Sequence, residues 1–256
     1  SVSLNNPAED GFVTYDGKTS VYGRDNSGNY IKAGVYNKVF THRGYVEWNT
    51  ESIKDSATIE DTVFYYEREI QGGTGHTDCH INDIDNQPSS ALDSTLYSDI
   101  DGGTTFANPA GFPADGKNEV DLGSSADSDL EGRLSDNWWA IGIQADTEST
   151  GNLEEYLYSE ENGGTVDPTL NITYSTNSAP TIDYKTPING TTDVDPCSGV
   201  TCEAYVNDTD DECINATWAT NASGSWTNVA YTGFCGNATI SHTYSEFNDY
   251  NTTYWW

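Results

Sequence analysis

Apolar and aromatic side chains recur at every second position in short runs along this chain, and Gly, Asn, Asp, Ser or Thr interrupts them about every ten residues. No long segment repeats apolar residues at spacings of three and four, so an amphipathic helix has little to build on. Gly44-Tyr-Val-Glu-Trp48 alternates, the run from Thr58 to Tyr66 is rich in β-branched and aromatic residues, and Trp138 to Ile143 reads as a strand buried on both faces. Leu170-Asn-Ile-Thr-Tyr174 alternates again. Later, the segments 201–206, 213–218, 226–231, 238–244 and 252–256 each offer one apolar face. Short strands joined by turn residues predict an all-β fold of packed antiparallel sheets.

The chain has 256 residues, 35% of them hydrophobic, with 24 glycines besides. That is enough apolar material for a core and argues against disorder throughout. Ser175-Thr-Asn-Ser-Ala-Pro-Thr181 is small, polar and proline-containing, as a linker between compact units should be. It predicts a larger sandwich over 1–175 and a smaller one over 176–256.

Charge is the strongest compositional bias, with 41 acidic against 10 basic side chains and a formal charge of −31. Nine of the ten Lys and Arg residues lie between Lys18 and Arg133. A polyanion repels phosphate backbones, so nucleic acid is a poor partner. No apolar run approaches the ~20 residues that span a bilayer, so no membrane span is expected. The chain contains no Met, and Ser1 opens no signal peptide, which reads as a processed form or an excerpt. Carboxylates two apart on turns suit a hard cation, and Asp99 with Asp101, Asp208 with Asp210 and Asp211, and Asp83 with Asp85 are the candidates for Ca2+. None completes a helix-loop-helix calcium motif. A salt-adapted surface is the competing explanation of the acidity.

The glycosylation acceptor pattern Asn-x-Ser/Thr occurs at Asn171, Asn189, Asn207, Asn215, Asn221, Asn237 and Asn251, and at no earlier position. Seven acceptors concentrated in the last third point to N-linked glycans and export. Four cysteines share this region. The expected pairs are Cys197 with Cys202 and Cys213 with Cys235, each closing a loop between neighbouring strands, with a metal site as the alternative. Cys79 stands apart and reads as a buried thiol.

The run from Arg43 to Ile59, leading into Val63-Phe-Tyr-Tyr66, with Asp10-Gly-Phe-Val13 before it and Asp167 to Tyr174 after it, resembles the DNRLRE and disaggregatase-related surface domains. That resemblance implies a jelly-roll module over roughly residues 8 to 175, non-catalytic in most members and polysaccharide-binding in some. Residues 179–256 resemble the immunoglobulin-like repeats of archaeal surface glycoproteins, through Ala179-Pro-Thr-Ile182, Thr186-Pro-Ile-Asn-Gly-Thr191, Asn221 to Trp226 and Tyr250 to Trp256. They depart from that pattern in carrying four extra cysteines and in stopping inside the penultimate strand. A sandwich short of its last strand leaves backbone groups and an apolar strip open to water. The expectation is that the chain continues or that another subunit donates a strand, with Val2 and Leu4 as donor and Tyr254, Trp255 and Trp256 at the receiving end.

Other chemistry is weakly signalled. His76-Thr-Asp-Cys-His80 follows a Gly-rich loop and lacks a second ligand pair, so a polar loop is preferred to a zinc site. Trp48, Tyr65, Tyr66, Trp138 and Trp139 are candidates for stacking on sugar, although aromatics at strand spacing more often form core. No catalytic motif appears, and none of the carboxylates is assigned a catalytic role. The sequence therefore reads as an extracellular structural glycoprotein of a filament or surface layer, partnered by copies of itself, with a carbohydrate-binding module of a surface adhesin or envelope enzyme as the alternative.

Overall fold

The computed structural model describes residues 1–68, 77–108, 116–148, 152–160, 167–176, 178–187, 199–208, 213–245 and 247. The chain divides into two compact units, Ser1–Thr176 and Asn177–Trp256. Both are β-sandwiches, as the alternating segments predict.

The first unit contains twelve strands: β1 (Val2–Leu4), β2 (Glu9–Asp16), β3 (Val21–Asp25), β4 (Tyr30–Tyr36), β5 (Phe40–Asn49), β6 (Ala57–Arg68), β7 (Cys79–Asp83), β8 (Thr105–Ala107), β9 (Gly116–Asp121), β10 (Trp138–Ala145), β11 (Leu153–Tyr158) and β12 (Thr169–Thr176). All pairings are antiparallel, in the order β1-β12-β6-β11-β4-β5-β10-β7-β8, with β2 and β3 branching from β5 and β9 from β6. The branches fold the sheet over on itself. One edge of β5 pairs with β2, while the other changes partner, from β4 at Phe40–His42 to β10 at Gly44–Asn49. Arg68, at the end of β6, pairs with Leu157 of β11. The β4–β11 ladder thus joins two layers. Between them, Val46 and Trp48 of β5 and Trp139, Ile141 and Ile143 of β10 pack with Phe64 and Tyr66 of β6 and Leu170 and Ile172 of β12. Trp48 sits edge-on to Phe64, with centroids 5.8 Å apart, and stacks on Trp139 at 6.3 Å.

Two helices depart from the sequence expectation, α1 (Asp93–Gly102) and α2 (Gly123–Arg133). Each buries only two side chains, Leu96 and Ile100 in α1 and Ala126 and Leu130 in α2. Both pairs are four apart, one helical turn, within Ser- and Asp-rich segments that have poor helix propensity. Neither helix has a side-chain N-cap hydrogen bond, so packing on the sheets is what holds them. Leu96 and Ile100 cover the second face of β5 and β10 with Val13, Tyr45, Ile84 and Ala140. This is why β10 is buried on both faces. Gly142 makes the approach possible, since a Cβ there would lie 2.8 Å from Ile100.

In the second unit, β13 (Thr181–Thr186), β14 (Val200–Asn207) and β17 (Ala238–Tyr244) form one sheet in the order β13-β14-β17, and β15 (Cys213–Thr220) pairs with β16 (Thr227–Cys235) in the other. Val200, Cys202, Ala204 and Val206 alternate inward along β14 and meet Trp218, Ile240, Tyr244 and Phe247. The Tyr244 hydroxyl donates to the Ala219 carbonyl at 3.0 Å, tying the two sheets together.

Candidate functional site

All four arginines serve the interior of the first unit. The Arg43 guanidinium grips the Glu148 carboxylate at 2.8 and 2.6 Å, donates to the Tyr97 carbonyl at 2.6 Å and lies 3.8 Å over the Tyr97 ring. Arg24 reaches Glu9, Asp93 and the carbonyls of Pro88 and Ala91. Arg68 pairs with the buried Glu155 at 2.9 Å, and Arg133 joins Asp129 and Asp85 to the Ile84 carbonyl. Long-range staples of this kind spend the scarce positive charge on structure, which leaves the exterior with carboxylates and few counter-charges.

Buried acids are likewise committed to the fold. Glu47 accepts from the Gln87 amide, the Ser89 hydroxyl and the Ser89 N–H, and so holds the loop ahead of α1. Glu155 also accepts from the Thr77 N–H at 2.9 Å. Among the described residues, polar depressions open on the surface of this unit. One, of about 420 Å3, lies beside Asp55, Thr58, Ser128 and Glu131; another, of about 510 Å3, runs along α1 beside Tyr22, Asn86, Ser94, Thr95, Ser98 and Asp99.

The expected calcium ligands do not converge at α1. Asp99 and Asp101 stand on a helix rather than a turn, and helical side chains two apart point to different sides. Asp99 accepts from the Asn86 backbone and side-chain amides, whereas Asp101 accepts from Gln144 at 2.7 Å and pairs with Arg43 at 3.2 Å. Asp208 is buried and donates its N–H to Asn237; Asp210 and Asp211 lie outside the described residues. Among the described residues no three His, Cys, Asp or Glu side chains are placed to hold a metal ion. The Cys79 thiol points into the main core, and burial raises its pKa well above the usual thiol value. His80 faces the opposite side of β7, against Asp146 and Gln144; His76 lies outside the described residues.

Cys213 and Cys235 are bridged across the β15–β16 ladder, where they are direct partners. Cys202 corrects the other expected pair: it is a free thiol, fully buried in the smaller core, with its pKa pushed up to about 12 by that burial. Its even position on β14 turns it inward with Val200 and Ala204, and Cys197 lies outside the described residues.

The sequons occupy different environments. Asn171 is half-buried in mid-strand, opposite Ser3 and Val63; Asn207 and Asn221 are half-buried, and Asn237 is exposed. Asn215 is exposed on the outer face of β15. Asn189 and Asn251 lie outside the described residues, as do Tyr254, Trp255 and Trp256.

Val2 and Leu4, expected as a donated strand, pair instead with Ile172 and Leu170 of β12 and pack on the core of their own unit. Trp48, Tyr66 and Trp139 are buried and offer no stacking surface, while Tyr65 and Trp138 are half-buried. Sequence reasoning missed a half-exposed trio, Tyr15, Tyr22 and Tyr97, with ring centroids 5.1 to 5.9 Å apart; Tyr15 and Tyr22 are direct partners on the β2–β3 ladder.

An apolar strip open to water lies on β13 of the second unit. Ile182 and Tyr184 of β13 are paired with Val206 and Ala204, so they share the core face of that sheet, yet they are 55% and 61% exposed. Among the described residues the facing sheet is one strand narrower. Among the described residues β15 pairs with β16 alone, and its other edge is open.

No family model matches the chain, and no curated protein does. Among solved structures it is similar to the exo-chitosanase CsxA of Amycolatopsis orientalis, at 9% identity and a TM-score of 0.25, over 95% of this chain and 28% of that one. The chain spans under a third of that enzyme, and a likeness this slight transfers neither fold nor activity.

Proposed function

We propose that this chain is a structural subunit of an extracellular filament or surface layer, a secreted glycoprotein that assembles from copies of itself. The observation that carries the reading is β13 of the second unit, where Ile182 and Tyr184 share the face of the core residues Val206 and Ala204 and are 55% and 61% exposed. A β-strand from a neighbouring copy, added at the edge of β15 that pairs with no strand among the described residues, would satisfy that edge and lie over both side chains. Covering a half-exposed side chain of this size is worth about 1 kcal/mol, in addition to the new ladder of hydrogen bonds. Such a contact joins two different surfaces, so successive copies extend into a fibre unless the rotation closes a ring.

Three features suit the same setting. The Cys213–Cys235 disulfide belongs to an oxidising compartment. The exposed sequons offer sites for glycans, and the acidic exterior keeps a concentrated surface protein soluble and attracts cations. Electron microscopy of material purified from its native source tests the reading. Ordered fibres or lattices are expected; monodisperse particles at every concentration would overturn it.

A second reading, a polysaccharide-binding module, is favoured by the Tyr15–Tyr22–Tyr97 cluster beside the hydroxyl-lined groove along α1. It predicts saturable binding of an oligosaccharide that is lost in Tyr22→Ala, and no binding would remove it.

A further inference from the structure

Among the described sequons, Asn215 occupies the site best built for a sugar. It stands on the outer face of β15, exposed, and among the described residues its side chain makes no hydrogen bond. Asn237, by contrast, accepts the Asp208 N–H at 2.8 Å through its side-chain oxygen. Directly across the ladder from Asn215 is Gly233, which adds no side chain beside the asparagine; a Cβ there would come within 3.1 Å of the Asn215 Oδ1. One step along the same outer face, opposite Thr217 of the sequon, lies Tyr231, 72% exposed. Diagonal neighbours across a ladder are about 7–8 Å apart, which a pyranose attached to the asparagine spans. The Tyr231 hydroxyl accepts from Asn228 Nδ2 at 3.3 Å, and the Cys213–Cys235 bridge closes the other side of the Asn215–Gly233 pair.

We infer that Asn215 carries an N-linked glycan whose first sugar ring packs its apolar C–H face on Tyr231, over the gap left by Gly233. The inference rests on the secreted-glycoprotein reading and identifies where the sugar acts within it. In the attachment step the Asn215 Nδ2 forms a bond to C1 of the sugar, the C1–O bond to the phosphate of a lipid-linked oligosaccharide breaks, and the amide loses one proton. No electrons are exchanged with another reactant. Once in place, the sugar shields the β15–β16 face and adds packing that the bare protein lacks.

Glycopeptide mass spectrometry of the natively produced protein, combined with hydrogen exchange of Tyr231→Ala, tests this. Asn215 is expected to be occupied, and Tyr231→Ala is expected to speed exchange in β15 and β16 severalfold in the glycosylated protein, yet leave it unchanged in an Asn215→Gln background. A bare Asn215 with glycan on other sequons would overturn the inference and leave the proposed function standing. No glycan on any sequon would instead defeat the secreted-glycoprotein reading itself. An occupied Asn215 with the same Tyr231→Ala effect in both backgrounds would reject the stacking contact.

Discussion

Replacing Cys213 and Cys235 together by serine removes a cross-link that closes a loop with a sequence separation of 22. Both residues are exposed and directly paired, so the serine pair leaves no cavity and little native strain. The cost arises chiefly in the unfolded chain, which regains the entropy that loop closure had removed. For a loop of this length that is about 3 kcal/mol, or an opening equilibrium more than about a hundredfold larger. Cys202 will not form a substitute bridge, because it is buried and its thiol stays protonated with a pKa pushed up to about 12. Hydrogen exchange read by mass spectrometry resolves the effect by strand. Peptides from β14 to β17 should exchange about a hundredfold faster, while β5 and β10 in the first unit keep their protection. Wild-type exchange rates in β15 and β16 after the double replacement would refute the reasoning.

Other consequences follow from the first unit. Arg68→Ala withdraws the guanidinium from Glu155, whose side chain is only 2% exposed, and should lower the stability of that unit by about 3 kcal/mol in urea unfolding. Gly34→Ala should cost about 1–3 kcal/mol and weaken the β4–β11 ladder, because φ at Gly34 is +122° and a Cβ would lie 2.2 Å from the Leu153 carbonyl oxygen. Asp83 and Asp127 have carboxyl pKa values raised by burial, with neighbouring carboxylates adding to the shift. The folded state therefore binds their protons at a higher pH than the unfolded state. Their contribution becomes more favourable as pH falls from neutrality through the raised values towards the ordinary value of 3.8. Asp83→Asn with Asp127→Asn should raise the melting temperature at neutral pH and narrow the gain on mild acidification.

Strand positions were legible wherever alternation was strong. Gly44 to Trp48 lies in β5, Thr58 to Tyr66 in β6, and Cys213 to Trp218 in β15, each predicted run falling inside a longer strand. The Cys213–Cys235 bridge was legible too, since both ends fall at strand termini that a hairpin brings together. The helices were not, because the spacing of Leu96 and Ile100, or of Ala126 and Leu130, is a single turn amid residues that favour loops. Asp99 and Asp101 were misplaced as turn ligands for that reason. Pairing is where a single sequence says least. That Ser3 faces Asn171, that Gly233 faces Asn215, and that Ile182 shares a face with Val206 depend on register between distant segments, which local pattern does not carry.

The central claim is that another copy completes the open face of β13. A photoreactive phenylalanine analogue placed at Tyr184, in an equal mixture of isotopically light and heavy protein under assembling conditions, measures this directly. The account predicts mixed light–heavy cross-linked peptides joining position 184 to a strand of a second molecule. Cross-links confined to single-isotope pairs, in material that has assembled, would contradict it.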